Sequence, residues 1–237
     1  MQKVIGGQLV NYEVVGERNK KDLLILHGWG GSLQEWQEIA GHLSQKYRVW
    51  SLDFPGFGSS PKPSFDWSIY DYAKFVEDFI NSEKLKDIIV LGHSFGGRVA
   101  VLLKAEKLVL VDAAGLEIKT LKATIGGLIF DKMSFMKKYV PTNLKNLFGS
   151  ADYRSAGSMR KIFVKVVNQD LSKELSEIKC PTLIIWGEKD LVLPISQAKA
   201  IKNIVKGSIL RVVWGADHWP HLSRSREFLE VLDEYII

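Results

Sequence analysis

Short apolar runs alternate with amphipathic segments along most of this chain, and the alternation predicts its architecture. The apolar runs lie at 23–26, 48–52, 87–91, 108–111, 182–186 and 209–213. Residues 4–15 alternate in polarity around Gly6-Gly7, which predicts a β-hairpin. Buried strands that alternate with helices are typical of a parallel sheet covered on both faces. The pattern therefore predicts an α/β fold with a mostly parallel, eight-stranded sheet.

The segment 118–178 departs from this rhythm. It has apolar residues at helical spacing and no clear strand, so we expect a helical cap inserted into the core. The core domain would then comprise residues 1–117 and 179–237. By analogy with cap placement alone, four apolar cap residues are candidates to line a pocket, namely Ile129, Phe130, Phe135 and Met136.

The pentapeptide Gly92-His93-Ser94-Phe95-Gly96 carries the first chemical signal. It follows an apolar strand and precedes a helical segment, which is the context of a nucleophile elbow. The serine of such an elbow sits at strained backbone angles, and side chains two residues to either side would collide. Only residues 98–107 separate Gly97 from the next strand, so we expect the helix behind Ser94 to be short, about two turns long.

A serine hydroxyl needs a general base, and that base needs an orienting acid. His218 lies in a loop between the last strand and the last helix, where it can reach the strand ends, and His221 is its competitor. The acid is expected between the serine and the histidine in chain order. Two aspartates that follow strands qualify, and we favour Asp190 over Asp112.

The developing oxyanion needs two preorganised N–H donors. The residue after the nucleophile, Phe95, supplies one of them in this arrangement. The second donor is expected from the glycine-rich loop 27–31 that follows the first long strand, where the backbone N–H of Trp29 is the candidate.

These elements together resemble the α/β-hydrolase superfamily. The matching motifs span nearly the whole chain, at 27–32, 53–59, 92–97, 186–190 and 215–220. The resemblance implies that Ser94, Asp190 and His218 form a triad, that Trp29 and Phe95 form the oxyanion hole, and that a helical cap covers the site. Relatives that displace halide or open epoxides have Asp in place of the nucleophilic serine, so serine indicates acyl transfer to water. The motif at 53–59 is a structural turn in the family.

Composition and the absence of certain motifs argue against several functional classes. The net charge is +5, but no basic run alternates with aromatic residues, so we expect no nucleic-acid partner. No run of 18 apolar residues occurs, so we expect no membrane span and no membrane partner. No metal-ligand motif is present, and no cofactor is expected. Cys180 is the only cysteine, and the N-terminus lacks a secretory h-region, which fits a cytoplasmic protein.

The sequence thus predicts a carboxylesterase for small to medium, largely apolar esters, with a small-molecule ester as its partner. Two alternatives remain. The first is a carbon–carbon bond hydrolase of the meta-cleavage type, which the cap residues Arg154 and Arg160 permit. The second is a non-hydrolytic, ligand-binding use of the fold. Sequence leaves the natural substrate and the oligomeric state open.

Overall fold

The computed structural model of this protein describes residues 1–116 and 156–236. The strands are β1 (Gln2–Ile5), β2 (Gln8–Val15), β3 (Asp22–Leu26), β4 (Arg48–Leu52), β5 (Ile89–His93), β6 (Lys107–Val111), β7 (Thr182–Gly187) and β8 (Ile209–Val213). The described α-helices are α1 (Gln37–Leu43), α2 (Ile69–Ser82), α3 (Phe95–Ala100), α4 (Arg160–Val167), α5 (Ser172–Glu177), α6 (Ile195–Ile204), α7 (Pro220–Ser223) and α8 (Ser225–Ile236). Short 3-10 turns precede α1 and α4, at Leu33–Trp36 and Gly157–Met159.

The strands form one eight-stranded sheet in the order β1-β2-β4-β3-β5-β6-β7-β8. Strand β2 pairs antiparallel with β1 and with β4, and all other neighbours are parallel. The predicted fold class is therefore confirmed. Because the parallel strands share one direction, the loops that follow them open at one edge of the sheet, where ligand sites of such folds lie.

The apolar runs form strands because both faces of the sheet are buried. In β3, Leu24 and Leu26 belong to the core beneath α2, α3 and α6, whereas Leu23 and Ile25 belong to the core beneath α1 and α8. The same alternation of neighbouring residues between the two cores recurs in β5 and β6. This two-sided burial follows from the period of two of a strand, and it fixes the register that aligns the strand ends.

Helix α3 is short, as the sequence predicts. It spans six residues, Phe95–Ala100, and ends before Lys104, the end expected from the sequence. The N–H groups of Leu102 and Leu103 donate to carbonyls three residues back, at 3.0 and 3.1 Å. These tight turns satisfy the last carbonyls of the helix and carry the chain directly into β6.

Only residues 156–178 of the expected cap 118–178 are described. They contain the 3-10 turn, α4 and α5, and no strand occurs within that described stretch. The boundaries of the cap and of the two core segments remain a prediction. The pocket candidates Ile129, Phe130, Phe135 and Met136, and also Arg154, lie outside the described residues.

The segment after α4 is tied to the core by three hydrogen bonds. The side-chain oxygen of Gln169 accepts from the N–H of Ile69 at 3.0 Å, at the start of α2. The backbone carbonyl of Gln169 accepts from the guanidinium of Arg98 on α3. The N–H of Leu171 donates to the carbonyl of Gly115 at 3.0 Å. The chain therefore re-enters the core against the helix that follows Ser94.

No helix within the described ranges is long and apolar enough to cross a bilayer. The cytoplasmic location expected from the sequence remains a prediction.

Candidate active site

Ser94 lies at the turn between β5 and α3 and has strained backbone angles, φ 49° and ψ −108°. A positive φ is uncommon for a residue with a Cβ, and such strain persists only where the surroundings impose it. Here the N–H of Ser94 donates to the carbonyl of Val111 at 2.9 Å, and the carbonyl of Ser94 accepts from the N–H of Arg98 at 3.2 Å. The strand and the helix thus hold the turn from both sides, and the Ser94 side chain stays partly exposed.

The glycines that flank Ser94 are required by close packing. A Cβ on Gly92 would lie 2.5 Å from the carbonyl oxygen of Gly96 and 2.8 Å from the Cβ of Ala100. A Cβ on Gly96 would collide with the carbonyl oxygens of Leu26 and His27 at the end of β3. Side chains at these two positions would thus collide with specific backbone and side-chain atoms, and the turn at Ser94 packs directly against the end of β3.

His218 and Asp190 come together from two loops at the same edge of the sheet. Nδ1 of His218 lies 2.8 Å from Oδ2 of Asp190, and the side chains are 5% and 1% exposed. The other oxygen of Asp190 accepts from the N–H groups of Val192 and Leu193, at 2.7 and 2.8 Å. Because a carboxylate only accepts, Nδ1 of His218 carries the proton, which leaves Nε2 as the basic nitrogen.

Nε2 of His218 and the hydroxyl of Ser94 make no hydrogen bond to any described residue. Catalytic hydrogen bonds in ligand-free sites are often long and tighten only when substrate binds. A hydrogen bond between Ser94 and His218 is therefore a proposal, whereas the hydrogen bond between His218 and Asp190 is observed.

Asp112, the alternative acid, lies beside Asp190 and has no hydrogen bond to His218. One of its oxygens accepts from the N–H of Gly187 at 2.9 Å, and the other has no partner among the described residues. Burial and the neighbouring Asp190 carboxylate raise the pKa of Asp112 well above its usual value. Of the two aspartates weighed from the sequence, Asp190 is thus the one that is hydrogen-bonded to His218.

The competitor His221 is buried on the other side of His93. Its ring stacks on Trp36 with a centroid separation of 3.8 Å, and neither ring nitrogen has a hydrogen-bond partner in the described chain. Burial, followed by the charge of His218, lowers the pKa of His221 to about 3. His221 is therefore a neutral core residue at neutral pH, which leaves His218 as the candidate base.

His93 has a role that the sequence did not reveal. Its Nε2 lies 2.8 Å from the carbonyl oxygen of His218. Since a carbonyl only accepts, Nε2 of His93 is the donor. Burial lowers the pKa of His93 well below its ordinary value, with further lowering from His221 and His218. The neutral ring thus tethers the His218 loop to the elbow.

The candidate oxyanion donors face the elbow from two elements. Phe95 is the first residue of α3, so its N–H has no partner within the helix. Trp29 follows Gly28, where an added Cβ would lie 3.5 Å from the Cβ of Ser94 and 2.7 Å from Nδ1 of His93. The N–H of Trp29 makes no hydrogen bond to the described residues, so both N–H groups remain available to a ligand.

His27, the first residue of the glycine-rich loop 27–31, has a structural role. Nδ1 of His27 donates to the carbonyl of Gly28 at 2.7 Å, and Nε2 accepts from the N–H of Phe54 at 3.0 Å. Desolvation by burial lowers the pKa of His27 to about 4, so it is neutral at pH 7. Asp53 likewise accepts from the N–H groups of Leu33 and Ser59, both at 2.8 Å, which makes the motif at 53–59 a braced turn.

Phe57, Phe95 and Phe163 form an aromatic wall around Trp29 in the loop 27–31. The ring of Trp29 packs edge-on against Phe57, Phe95 and Phe163, with centroid separations of 4.8, 5.4 and 5.0 Å. Phe163 comes from α4, within the expected cap. The described surroundings of Trp29 are thus largely apolar, a property that suits hydrocarbon groups better than charged ones.

Asp112, Asp190 and His218 form the one group of potential metal ligands within the described ranges, with ligand atoms all within 4.8 Å of one another. The 2.8 Å contact between His218 and Asp190 is the length of a charge-assisted hydrogen bond. We therefore assign the contact between His218 and Asp190 as a hydrogen bond.

Comparison with known proteins agrees with this geometry. The family model described as "Alpha/beta hydrolase family" matches residues 23–231 of this chain. Lipase 1 of Psychrobacter immobilis is 26% identical over 252 residues, which cover 94% of this chain and 76% of the lipase. A monoacylglycerol lipase of Mus musculus is 26% identical over 257 residues, which cover 92% of this chain and 76% of that protein.

Among solved structures, an esterase from Exiguobacterium antarcticum is similar in fold and sequence. The TM-score is 0.76 at 25% identity, and the match covers 99% of this chain and 97% of the esterase. The shared fold extends over the whole described sheet, including the strand ends that carry the candidate site.

Proposed function

Because the chain belongs to the alpha/beta hydrolase family, we propose that it is a serine carboxylesterase that cleaves small to medium, largely apolar esters through an acyl-enzyme. The observation that carries the proposal is the buried pair of His218 and Asp190 at 2.8 Å, at the sheet edge that also holds the strained Ser94. The lipase and esterase relatives support ester hydrolysis as the reaction class.

In the proposed acylation step, the hydroxyl oxygen of Ser94 attacks the ester carbonyl carbon. Nε2 of His218 takes the hydroxyl proton, and Asp190 holds Nδ1–H and stabilises the imidazolium. The N–H groups of Trp29 and Phe95 donate to the oxyanion. The tetrahedral intermediate then collapses, the bond to the alcohol oxygen breaks, and the alcohol leaves with the proton from His218.

The deacylation step repeats this sequence with water as the nucleophile. His218 removes a proton from water as the water oxygen attacks the acyl carbon on Ser94. When the bond to the Ser94 oxygen breaks, His218 returns the proton to that oxygen, and the acid is released. The active site is thereby regenerated without a cofactor.

The aromatic wall around Trp29 supports an apolar acyl or alkyl group. Trp29 is partly exposed, and the buried rings of Phe57 and Phe163 pack against it. The cation–π contacts of the described residues lie elsewhere, at Trp50 and Tyr235. Burying each methylene of a substrate against such a surface contributes about 0.8 kcal/mol. We therefore expect butyrate esters to be better substrates than acetate esters.

No specific observation favours carbon–carbon bond hydrolysis. Of the two arginines that permitted it, Arg154 lies outside the described residues. Arg160 lines a surface depression along α4 together with Lys161, Val164, Lys165, Asn168 and Gln169. Neither Ser94 nor His218 lines that depression. The position of Arg160 therefore does not support binding of an anionic meta-cleavage substrate next to the proposed nucleophile.

Hydrolysis of p-nitrophenyl acetate and butyrate by the wild type and by Ser94→Ala tests the proposal. We expect the wild type to turn over both esters and Ser94→Ala to be slower by at least about 10³-fold, since removal of a nucleophile disables the whole triad. Ser176→Ala is the matched control, because Ser176 is exposed on α5 and donates only to the carbonyl of Lys173.

Equal rates for the wild type and Ser94→Ala would contradict the mechanism. If a fluorophosphonate labels Ser94 while no ester is turned over, the fold is used for ligand binding rather than for hydrolysis.

A further inference from the structure

Two buried carboxyl groups lie side by side behind His218. Asp112 is fully buried, the side chain of Asp190 is 1% exposed, and their oxygens and the nitrogen of His218 all lie within 4.8 Å of one another. Two like charges this close in a buried site repel each other strongly, which favours retention of one proton by the pair. The location of that proton follows from the hydrogen bonds.

Asp190 is stabilised as a carboxylate and Asp112 is not. Asp190 accepts three N–H groups, from Val192, Leu193 and His218, at 2.7, 2.8 and 2.8 Å. Asp112 accepts one, from Gly187 at 2.9 Å, and its second oxygen has no N–H or O–H donor among the described residues. Hydrogen bonds to the ionised form favour it, so the proton belongs on Asp112.

We propose that Asp112 is a positioning residue whose protonated Oδ2 donates a hydrogen bond to Asp190 and thereby holds that carboxylate against His218. The inference rests on the proposed function for its kinetic consequence, but the shared proton itself does not depend on any activity. Asp112 makes no hydrogen bond to His218 and acts through Asp190.

The backbone holds Asp112 in this place at some cost. Its φ is 41°, a left-handed conformation that a side chain with a Cβ adopts with strain. Its N–H donates to the carbonyl of Ile185 at 2.9 Å, just as the N–H of Ser94 donates to Val111 one strand away. Ser94 and Asp112 each directly follow a strand, and the two strands are neighbours in the sheet. The strained backbone of Asp112 places its carboxyl group beside Asp190, just as the strained backbone of Ser94 exposes its hydroxyl.

Among the described residues, the titratable groups that face this carboxyl pair come from the ends of the strands and the loops that follow them. Asp190 lies in the loop after β7, and Asp217 and His218 lie in the loop after β8. His93 at the end of β5 contacts His218 from the other side, with ring centroids 5.0 Å apart. Asp217 adds a further negative charge that favours the protonated form of Asp112.

A hydrogen bond donated by Asp112 would reduce the negative charge that Asp190 presents to His218. Without it, Asp190 would hold the imidazolium of His218 more tightly, and its carboxylate would lose one of the contacts that fix it against Nδ1, although Val192 and Leu193 would still hold its other oxygen. The first change moves the acid limb of the kcat/KM profile to higher pH, and the second lowers kcat. A residue that merely filled space at this position would change neither.

Replacement of Asp112 by Asn and by Leu separates these roles. Asn keeps an N–H donor for Asp190 and an oxygen for the N–H of Gly187, whereas Leu removes both. We expect Asp112→Leu to lower kcat by about 10- to 100-fold, as for loss of a hydrogen bond to a charged group. Its KM should change little, and its acid limb should move to higher pH. Asp112→Asn should restore most of kcat and the wild-type limb, and equal kinetics for the two variants would overturn the positioning role.

Infrared spectroscopy tests the proton directly and also serves if Asp112→Leu fails to fold. The wild type at pH 8 should show the carbonyl stretch of a buried protonated carboxylic acid, and Asp112→Asn should lack it. Absence of the band from the wild type, or its persistence in Asp112→Asn, would overturn the inference. The band with no ester turnover would support the carboxyl pair while contradicting the proposed esterase function, so the two failures are distinguishable.

Discussion

Nε2 of His93 lies 2.8 Å from the carbonyl oxygen of His218, so the residue next to the candidate nucleophile holds the loop of the candidate base. The two residues are 125 positions apart in the chain, and both are buried. The position of His218 relative to Ser94 is thus set by one side-chain hydrogen bond in addition to the hydrogen bond with Asp190.

Substitution of His93 should affect turnover more than substrate affinity. His93→Leu removes the donor, whereas His93→Gln keeps an N–H at about the distance of Nε2. We expect His93→Leu to lower kcat by roughly 10- to 100-fold with little change in KM, because a small misplacement of a catalytic group is costly. His93→Gln should retain more of the activity, as measured with p-nitrophenyl butyrate. If both variants had the same kcat, the hydrogen bond would have no role in positioning.

Replacement of Asp190 by Asn should reduce kcat by about 10⁴-fold, because an amide favours the wrong tautomer of the histidine and does not stabilise its cation. Asp217→Asn is the matched control from the adjacent loop. Asp217 is exposed and its Oδ1 accepts from the N–H of Trp219 at 2.8 Å, a contact that Asn preserves. Steady-state kinetics of both variants checks the assignment, which fails if Asp190→Asn retains activity comparable to that of Asp217→Asn.

Gly92→Ala should strongly destabilise the fold, because its Cβ would lie 2.5 Å from the carbonyl oxygen of Gly96. An overpacked core site typically costs about 1–3 kcal/mol in the free energy of unfolding. Gly41→Ala is the contrasting variant, since its added Cβ in helix α1 would have no atom within 4 Å apart from its chain neighbours and the nearby backbone of its own helix. It should stabilise the protein by about 0.5–1 kcal/mol. Urea denaturation measures both, and equal effects would contradict the steric account.

The buried neutral histidine His221 should make the protein sensitive to acid. Burial lowers its pKa to about 3 in the folded state from 6.5, so the unfolded state binds one more proton between these values. Its contribution to stability is therefore present above about pH 6.5 and is lost as the pH falls towards 3, at about 1.4 kcal/mol per pH unit for one proton.

The variant His221→Phe tests this linkage, because Phe retains the stacking on Trp36 and cannot bind a proton. The free energy of unfolding, measured in urea from pH 7 to pH 4.5, should fall less steeply with acid than in the wild type. A wild-type slope in His221→Phe would contradict the linkage.

The periodicity of the sequence was sufficient to predict the sheet. Strands β7 and β8 begin and end near the predicted residues because short, mostly apolar runs bounded by glycine or polar residues permit few other structures. Helix ends were less predictable. Helix α3 ends at Ala100 rather than Lys104 because the chain must turn at once into β6, a tertiary constraint that helical propensity does not record.

Part of the candidate site could be predicted from the sequence for a related reason. Ser94, His218 and Asp190 each follow a strand, and parallel strands bring such residues to one edge. The tether from His93 and the carboxyl pair of Asp112 with Asp190 could not be read in this way. Both depend on side-chain directions that only the folded register determines, although the positive φ of Asp112 marks it once a structure exists.

The most direct test of the proposed mechanism is detection of an acyl group on Ser94. The wild type is mixed with p-nitrophenyl butyrate, quenched with acid within the first turnover, digested, and analysed by mass spectrometry. We predict a butyryl group on the peptide that contains Ser94, formed at least as fast as kcat and absent from Ser94→Ala. Steady turnover of the ester with no acyl group at Ser94 would contradict the proposal.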